Sequence, residues 1–413
     1  WPEDQTTALD FTLTLDAAAE QPLYQQLYEQ LRQAILTGRL RPGQKLPSSR
    51  DLASLVSVGR LTVLESYDRL LSEGYLTARH GAGTFVAESL LSLASPPATL
   101  PTDTAYRLSR FGRGLADGGA LWHDPAQVQI SFGYGRPALH QFPHTVWRQL
   151  LARQGRDNPE LLDYAADVQG YRPLREAIAD YLATARGIHC QADDIVIVNG
   201  SQQGFDLTTR LLVNPGDAVA IEEPGYTGAR RTVIAHGARV VPARIDDAGV
   251  MPEALPLDPT VSLLYLTPSP QFPPGATLPL ARRLEVLAWA QRQQAIIVED
   301  DYDSEYRYGE RPVPALKGLD QHGLVIYLGT FSKVMFPALR IGYVVLPRPL
   351  VSVFGRAKWL ADRQSPTLDQ AALADFIREG HLARTIRRNR ALYQRRRQAL
   401  IEALNGHFGE SAT

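Results

Sequence analysis

The sequence predicts a multidomain chain. A small N-terminal unit of three helices and a β-hairpin, the layout of a winged helix-turn-helix, precedes a larger α/β domain with a mostly parallel sheet. Three observations carry this expectation. A length of 413 residues suits about two or three domains with sizeable cores. Helical periodicity followed by a glycine-turned pair of short strands fills residues 20–88. From 127 to 413, continuous apolar runs alternate with amphipathic helices, as expected for strands covered on both faces. Residues 89–126 read as a solvated linker, because Ser95-Pro96-Pro97-Ala98 and Asp117-Gly118-Gly119 punctuate a stretch of weak periodicity.

In chain order, Leu23, Leu27, Leu31, Ile35 and Leu36 recur at helical spacing, and the helix stops before Gly38. Arg41-Pro42-Gly43 makes a turn. A short helix follows over 49–55 with Ser48 or Ser49 as its N-cap, and a second runs from about 60 to 73, closed by Gly74. Residues 75–79 and 84–86 form two strands joined by His80-Gly81-Ala82-Gly83. In the larger domain the strands are the apolar runs 195–198, 218–221, 263–266, 295–298 and 325–328. One long helical stretch is expected over about 369–404, ahead of a polar tail.

Composition narrows the function. A single cysteine, Cys190, excludes a disulfide framework and a CxxC metal site, and no metal is expected. No run of about 18 apolar residues could span a membrane, and the N-terminus does not read as a signal peptide, so a cytoplasmic protein is expected. The net charge of −1 argues against a globally basic nucleic-acid binder. Cations are unevenly divided, with 39 arginines and four lysines, at 45, 317, 333 and 358. Codon bias accounts for the arginines, but a scarce lysine is worth locating, because lysine does chemistry that arginine cannot.

Locally the charge is different. Residues 30–60 hold Arg32, Arg39, Arg41, Lys45, Arg50 and Arg60 against one acid, Asp51. A helix-turn-helix places its second helix in the major groove, where Arg60 and Thr62 in the first turn reach bases or phosphates. Gly81 and Gly83 let a wing backbone approach closely. On spacing alone, DNA binding and protein binding are both open. The runs Leu46-Pro47-Ser48-Ser49-Arg50-Asp51-Leu52-Ala53, Glu73-Gly74-Tyr75-Leu76 and Gly81-Ala82-Gly83-Thr84-Phe85-Val86 resemble the GntR-type DNA-binding domain. The resemblance implies operator DNA as partner and places Arg50, Arg60, Thr62, His80 and Gly81 at contact positions. Val58-Gly59-Arg60-Leu61-Thr62 departs from the family's usual V-S-R-T-T, losing a serine cap and one threonine hydroxyl.

Four features of the larger domain belong together. Asn199-Gly200-Ser201-Gln202-Gln203 opens a helix after a strand and presents free N–H groups to an anion. Asp300 and Tyr302, two apart at a strand end, set a carboxylate and a phenol on one face. Gly329-Thr330-Phe331-Ser332-Lys333 offers two hydroxyls and a lysine beyond a sheet edge, where open α/β sheets bind ligands and a lysine forms a Schiff base with an aldehyde. Arg340 offers a bidentate partner for a phosphate. Each alone has an ordinary structural explanation. Jointly they match the phosphate, ring nitrogen, ring hydroxyl and aldehyde of pyridoxal 5′-phosphate, PLP.

The same stretches resemble fold-type I aminotransferases. Within that group Glu223-Pro224-Gly225-Tyr226, Thr267-Pro268-Ser269-Pro270-Gln271-Phe272-Pro273, Glu299-Asp300-Asp301-Tyr302-Asp303-Ser304-Glu305 and Thr330-Phe331-Ser332-Lys333 resemble the MocR subfamily of GntR regulators. This implies a winged helix linked to a fold-type I PLP-dependent transferase-like domain. By resemblance, Lys333 forms the internal aldimine, Asp300 meets the pyridine nitrogen, Tyr302 the ring hydroxyl, and Tyr226 stacks on the ring. Gly200, Ser201, Gln202, Thr330, Ser332 and Arg340 surround the phosphate, and Tyr164 reaches the phosphate of a partner subunit in a head-to-tail homodimer. The spacing of Tyr164 is one residue longer than the pattern. Phe272-Pro273-Pro274-Gly275 lacks the usual Asn, Pro270 replaces a common His, and Ala338 a common Gly.

Only 80 residues follow Lys333, whereas the resemblance implies a C-terminal subdomain carrying an arginine for a ligand carboxylate; this subdomain is expected to be incomplete or its arm absent. The arginines at 378, 384, 387, 388, 390, 395, 396 and 397 read as a helix face in solvent rather than a second DNA site. The expected function is a transcription regulator whose operator binding responds to PLP, alone or joined to an amino acid or amine, with catalysis at most a residual half-transamination. The alternative is a PLP-dependent aminotransferase with an accessory N-terminal domain.

Overall fold

The computed structural model describes residues 13–88, 107–116, 133, 135–165, 167–308 and 313–409. The chain divides into two compact units, Trp1–Arg107 and Leu108–Thr413. Most of the expected linker, 89–106 and 117–126, lies outside the described residues. Within it, Arg110–Ala116 forms a helix that belongs to the second unit, a placement that local periodicity does not signal.

The first unit contains α1 (Leu23–Leu36), α2 (Ser49–Leu55), α3 (Arg60–Ser72), β1 (Leu76–Arg79) and β2 (Gly83–Val86). Leu27, Leu31 and Ile35 line one face of α1 and meet Leu52, Val63, Leu70 and Val86 in one apolar core. Burying each such side chain stabilises by about 1.5–3 kcal/mol. The Ser48 hydroxyl caps α2 by accepting from the Asp51 N–H at 3.3 Å. Gly59 at the start of α3 makes no side-chain cap, the consequence of its replacing serine. The hairpin pairs Leu76 with Val86 through Arg79 with Gly83, and the turn is made by Gly81 at φ +74°.

The second unit contains α4 (Arg110–Ala116), α5 (His144–Asp157), α6 (Arg172–Arg186), β3 (Ile195–Val198), α7 (Ser201–Leu212), β4 (Ala218–Glu223), α8 (Thr227–Ala235), β5 (Arg239–Asp246) and β6 (Gly249–Val250). These are followed by β7 (Val261–Leu266), α9 (Leu280–Gln293), β8 (Ile296–Asp301), α10 (Leu316–Leu319), β9 (Val325–Thr330), β10 (Gly342–Val345), α11 (Arg348–Asp362), α12 (Thr367–Arg378) and α13 (His381–Phe408). One sheet runs in the order β3-β10-β9-β8-β7-β4-β5-β6. Its centre, β5-β4-β7-β8-β9, is parallel; β10 is antiparallel to both neighbours and β6 to β5.

Alternate residues point to opposite faces, so both must be apolar. Ile195 and Ile197 enter the core formed with α5, α6 and α12, while Val196 and Val198 enter the one formed with α7, α8 and α11. The expected single helix over about 369–404 is two. Gly380, at φ +74°, interrupts it between α12 and α13, a backbone conformation that glycine adopts without strain.

Candidate functional site

The C-terminal ends of β3, β8 and β9 carry the residues picked out by chemistry, the edge at which open α/β sheets bind ligands. β3 ends at Val198, and Asn199-Gly200 turns the chain into α7. Gly200 holds φ +93°, and a Cβ there would lie 3.0 Å from Arg340 Nη2. Arg340 donates to the Asn199 carbonyl at 2.5 Å, which fixes its guanidinium beside the turn. The first N–H groups of α7, with Ser201 and Gln202 at their head, thus share one place with a cation, the requirement for holding a phosphate.

From β9, the Ser332 N–H donates to Thr330 Oγ1 at 3.2 Å, and the two hydroxyls lie 3.1 Å apart. Lys333 follows directly. Its ammonium donates to the Gly135 carbonyl at 3.1 Å, and burial lowers its pKa against the opposing pull of Asp303 and Asp300. A lowered lysine pKa favours the neutral, nucleophilic amine.

Asp300 lies buried at the end of β8. Burial raises its carboxyl to about 6, opposed by the Tyr265 hydroxyl, which donates to Oδ2 at 2.6 Å. Its Oδ1 is buried and makes no hydrogen bond among the described residues. Glu222, at the end of β4, accepts from the Thr267 N–H and hydroxyl at 2.9 and 2.7 Å, and burial lifts it to about 7. The neighbouring Asp301 turns the other way, accepting from Arg186 Nε and the Tyr327 hydroxyl, each at 2.6 Å.

Aromatic rings close the group. Tyr226, the residue before α8, donates to Gln202 Oε1 at 3.2 Å and stacks at 6.4 Å on Tyr265. Phe272 stands edge-on to both Tyr226 and Tyr302, at 6.1 and 6.0 Å. A ring therefore occupies the position where the aminotransferase pattern has an asparagine amide. Among the described residues Tyr164 makes no hydrogen bond or ring contact to this group; it is 70% exposed with Arg363 over its ring at 4.3 Å. Tyr265 and Gly135 have no signal in the sequence, because each reaches the site through a partner far along the chain.

In the first unit Arg50, Arg60, His80 and Gly81 are exposed and Thr62 is half-buried. Arg60 Nε donates to Ser49 Oγ at 3.2 Å, tying the start of α3 to α2. Part of the arginine-rich α12–α13 segment is used internally: Arg378 donates to Glu176, and Arg390 to the Glu305 carbonyl. Among the described residues no helix is long and apolar enough to cross a membrane.

Fold and site together define a DNA-binding module joined to an aminotransferase-class domain, and comparison with known proteins bears this out. Residues 23–86 match the bacterial regulatory proteins of the gntR family, and residues 128–412 match aminotransferase class I and II. The chain is 40% identical to the probable rhizopine catabolism regulatory protein MocR of Rhizobium meliloti, over 97% of this chain and 81% of the relative. It is 32% identical to the pyridoxine biosynthesis transcriptional regulator PdxR of Corynebacterium glutamicum, over 96% and 82% of the two chains. Among solved structures it resembles kynurenine aminotransferase of Pyrococcus horikoshii, with a TM-score of 0.64 and 31% identity over 73% of this chain and 75% of that one. The chain belongs to the MocR subfamily of GntR transcription regulators.

Proposed function

We propose that the protein is a transcription regulator whose winged helix binds operator DNA and whose aminotransferase-like domain holds PLP as a sensor for an amino acid or amine. The observation that carries this is the Asp300 carboxylate, one oxygen of which is buried without a donor among the described residues, at the same sheet edge as Lys333 and the Gly200 turn. A buried carboxylate oxygen without a donor is costly, and a protonated ring nitrogen supplies what is missing.

When bound, PLP supplies an aldehyde that links reversibly to an amine and absorbs visible light. The protein's own groups divide the remaining work. The N–H groups at Gly200, Ser201 and Gln202, the hydroxyls of Thr330 and Ser332, and Arg340 would hold the phosphate. Asp300 would keep a proton on the ring nitrogen, Tyr302 would meet the ring hydroxyl, and Tyr226 would lie against the ring. Lys333 would present the amine. In the first unit Arg50, Arg60, Thr62, His80 and Gly81 contact the operator, phosphates setting position and bases setting sequence.

A head-to-tail homodimer belongs to this reading, since two half-sites call for two winged helices. It is supported by the exposed apolar side chains Leu162, Tyr164, Trp359 and Leu360, with Arg363 over both aromatic rings. A test is operator binding with and without PLP and candidate amines, beside the absorbance of the protein incubated with PLP. The expected outcome is an operator affinity that depends on the ligand and a visible band lost in Lys333→Ala. Rapid multiple-turnover transamination without specific DNA binding would overturn the reading in favour of the aminotransferase.

A further inference from the structure

We infer that Lys358 and Asp362 act as a positioning pair that holds the Asn199-Gly200 turn in its phosphate-binding shape, so that affinity for a phosphorylated ligand is set partly from α11. This rests on the cofactor reading above.

Asp362 is the last residue of α11 and a hub for three donors. Its Oδ1 accepts from Lys358 Nζ at 2.5 Å, and its Oδ2 accepts from Asn199 Nδ2 at 2.6 Å and from Gln203 Nε2 at 2.7 Å. The other polar atoms of Asn199 are also engaged. Its N–H donates to Gln203 Oε1 at 2.8 Å, its carbonyl accepts from Arg340 Nη2 at 2.5 Å, and its Oδ1 accepts from the Ser365 hydroxyl at 2.7 Å. A residue with every polar atom bonded has one arrangement available. The two residues that follow, Gly200 in its left-handed conformation and Ser201 at the head of α7, inherit that arrangement.

The lysine explains the charge balance. A lone carboxylate under a turn that gathers N–H groups and a guanidinium would oppose the anion those groups are suited to hold. Lys358 neutralises it, at the cost of a side chain only 1% exposed whose pKa burial lowers. A buried ion pair is a poor device for stability, since apolar residues of similar volume pack as well. Here its second carboxylate oxygen is spent on the two side chains that shape the turn. No residue of the pair belongs to the group of side chains that surrounds the ligand, so its role is to position Asn199, Gly200 and Gln203.

The test compares PLP with pyridoxal, which has the same ring and aldehyde and no phosphate, by absorbance titration of the full chain. The wild type is expected to bind PLP more tightly than pyridoxal. Asp362→Asn keeps the volume but removes the charge and one acceptor. It is expected to weaken PLP roughly tenfold or more and to leave pyridoxal within about twofold. Gln203→Ala, at a half-buried position, is expected to act in the same direction with a smaller loss. It decides the question alone if Asp362→Asn does not fold. Parallel losses for both compounds, or an unchanged preference for PLP in folded variants, would overturn the inference alone. A wild type with no preference for PLP overturns the phosphate reading of the turn, and this inference with it, before any variant is made.

Discussion

Asp300 shows how burial tunes the site residue by residue. Removing its carboxylate from water raises its pKa to about 6, and the bond from Tyr265 offsets only part of that penalty. A carboxyl raised in the folded state contributes stability that is present below the ordinary carboxylate range and is lost as pH rises through about 6. Asp303 and Glu222, both lifted to about 7 by burial, act in the same direction. The ligand-free protein is therefore expected to melt at higher temperature as pH falls through this window. PLP should do the opposite, because a protonated ring nitrogen needs Asp300 ionised. Its retention is expected to weaken as pH falls through about 6, and Asp300→Ala to abolish retention at every pH. Calorimetric melting and PLP titration across that range check both signs. Asp300, Tyr302 and Lys333 were legible because their spacing and chemistry are local. Tyr265, Gly135 and Asp362 were not, since their partners lie far off in sequence and only the sheet brings them together.

Legibility of the elements follows burial in the same way. β3, β4, β7, β8 and β9 are covered on both faces and read as continuous apolar runs. β5 lies near the edge of the sheet, buries only Ala243 of its eight residues and contains Pro242, so it does not read as an apolar run. β10 is only four residues long and runs antiparallel between β3 and β9, a topology that no local pattern encodes. The elements that carry the site are fastened behind it by the Arg186–Asp301 pair, which joins α6 to β8 with side chains 5% and 1% exposed. Arg186→Met leaves a buried carboxylate held by Tyr327 alone, and a loss of about 3–5 kcal/mol is expected. Arg172→Ala breaks exposed ion pairs from the same helix, to Glu176 within it and to Asp193 beyond it, and should cost no more than about 1 kcal/mol. Denaturant unfolding of the two variants separates them. Equal losses would mean that the buried pair is not what fastens α6 to β8.

Over the whole molecule, a net charge of −1 averages a basic face in the first unit with acids elsewhere, so total charge says little about DNA. The exposed apolar side chains Leu162, Tyr164, Trp359 and Leu360 bear on the proposed assembly. If the proposed homodimer uses this surface, Leu360→Glu, at a side chain 79% exposed whose change costs the fold little, is expected to give a monomer in light scattering where the wild type gives a dimer. Regulation adds a stricter requirement. A ligand changes operator binding only by as much as it distinguishes the DNA-competent state from the incompetent one, typically about 5- to 150-fold. If that distinction passes through the amine of Lys333, Lys333→Ala should bind operator as the ligand-free wild type does and show no response to PLP. The same variant also isolates the winged helix from the sensor, because it alters nothing in the first unit. A response to PLP that survives in Lys333→Ala would place the sensing elsewhere in the molecule. Loss of operator binding without any ligand would instead mean that the lysine, bonded to the Gly135 carbonyl, helps to hold the DNA-competent state itself.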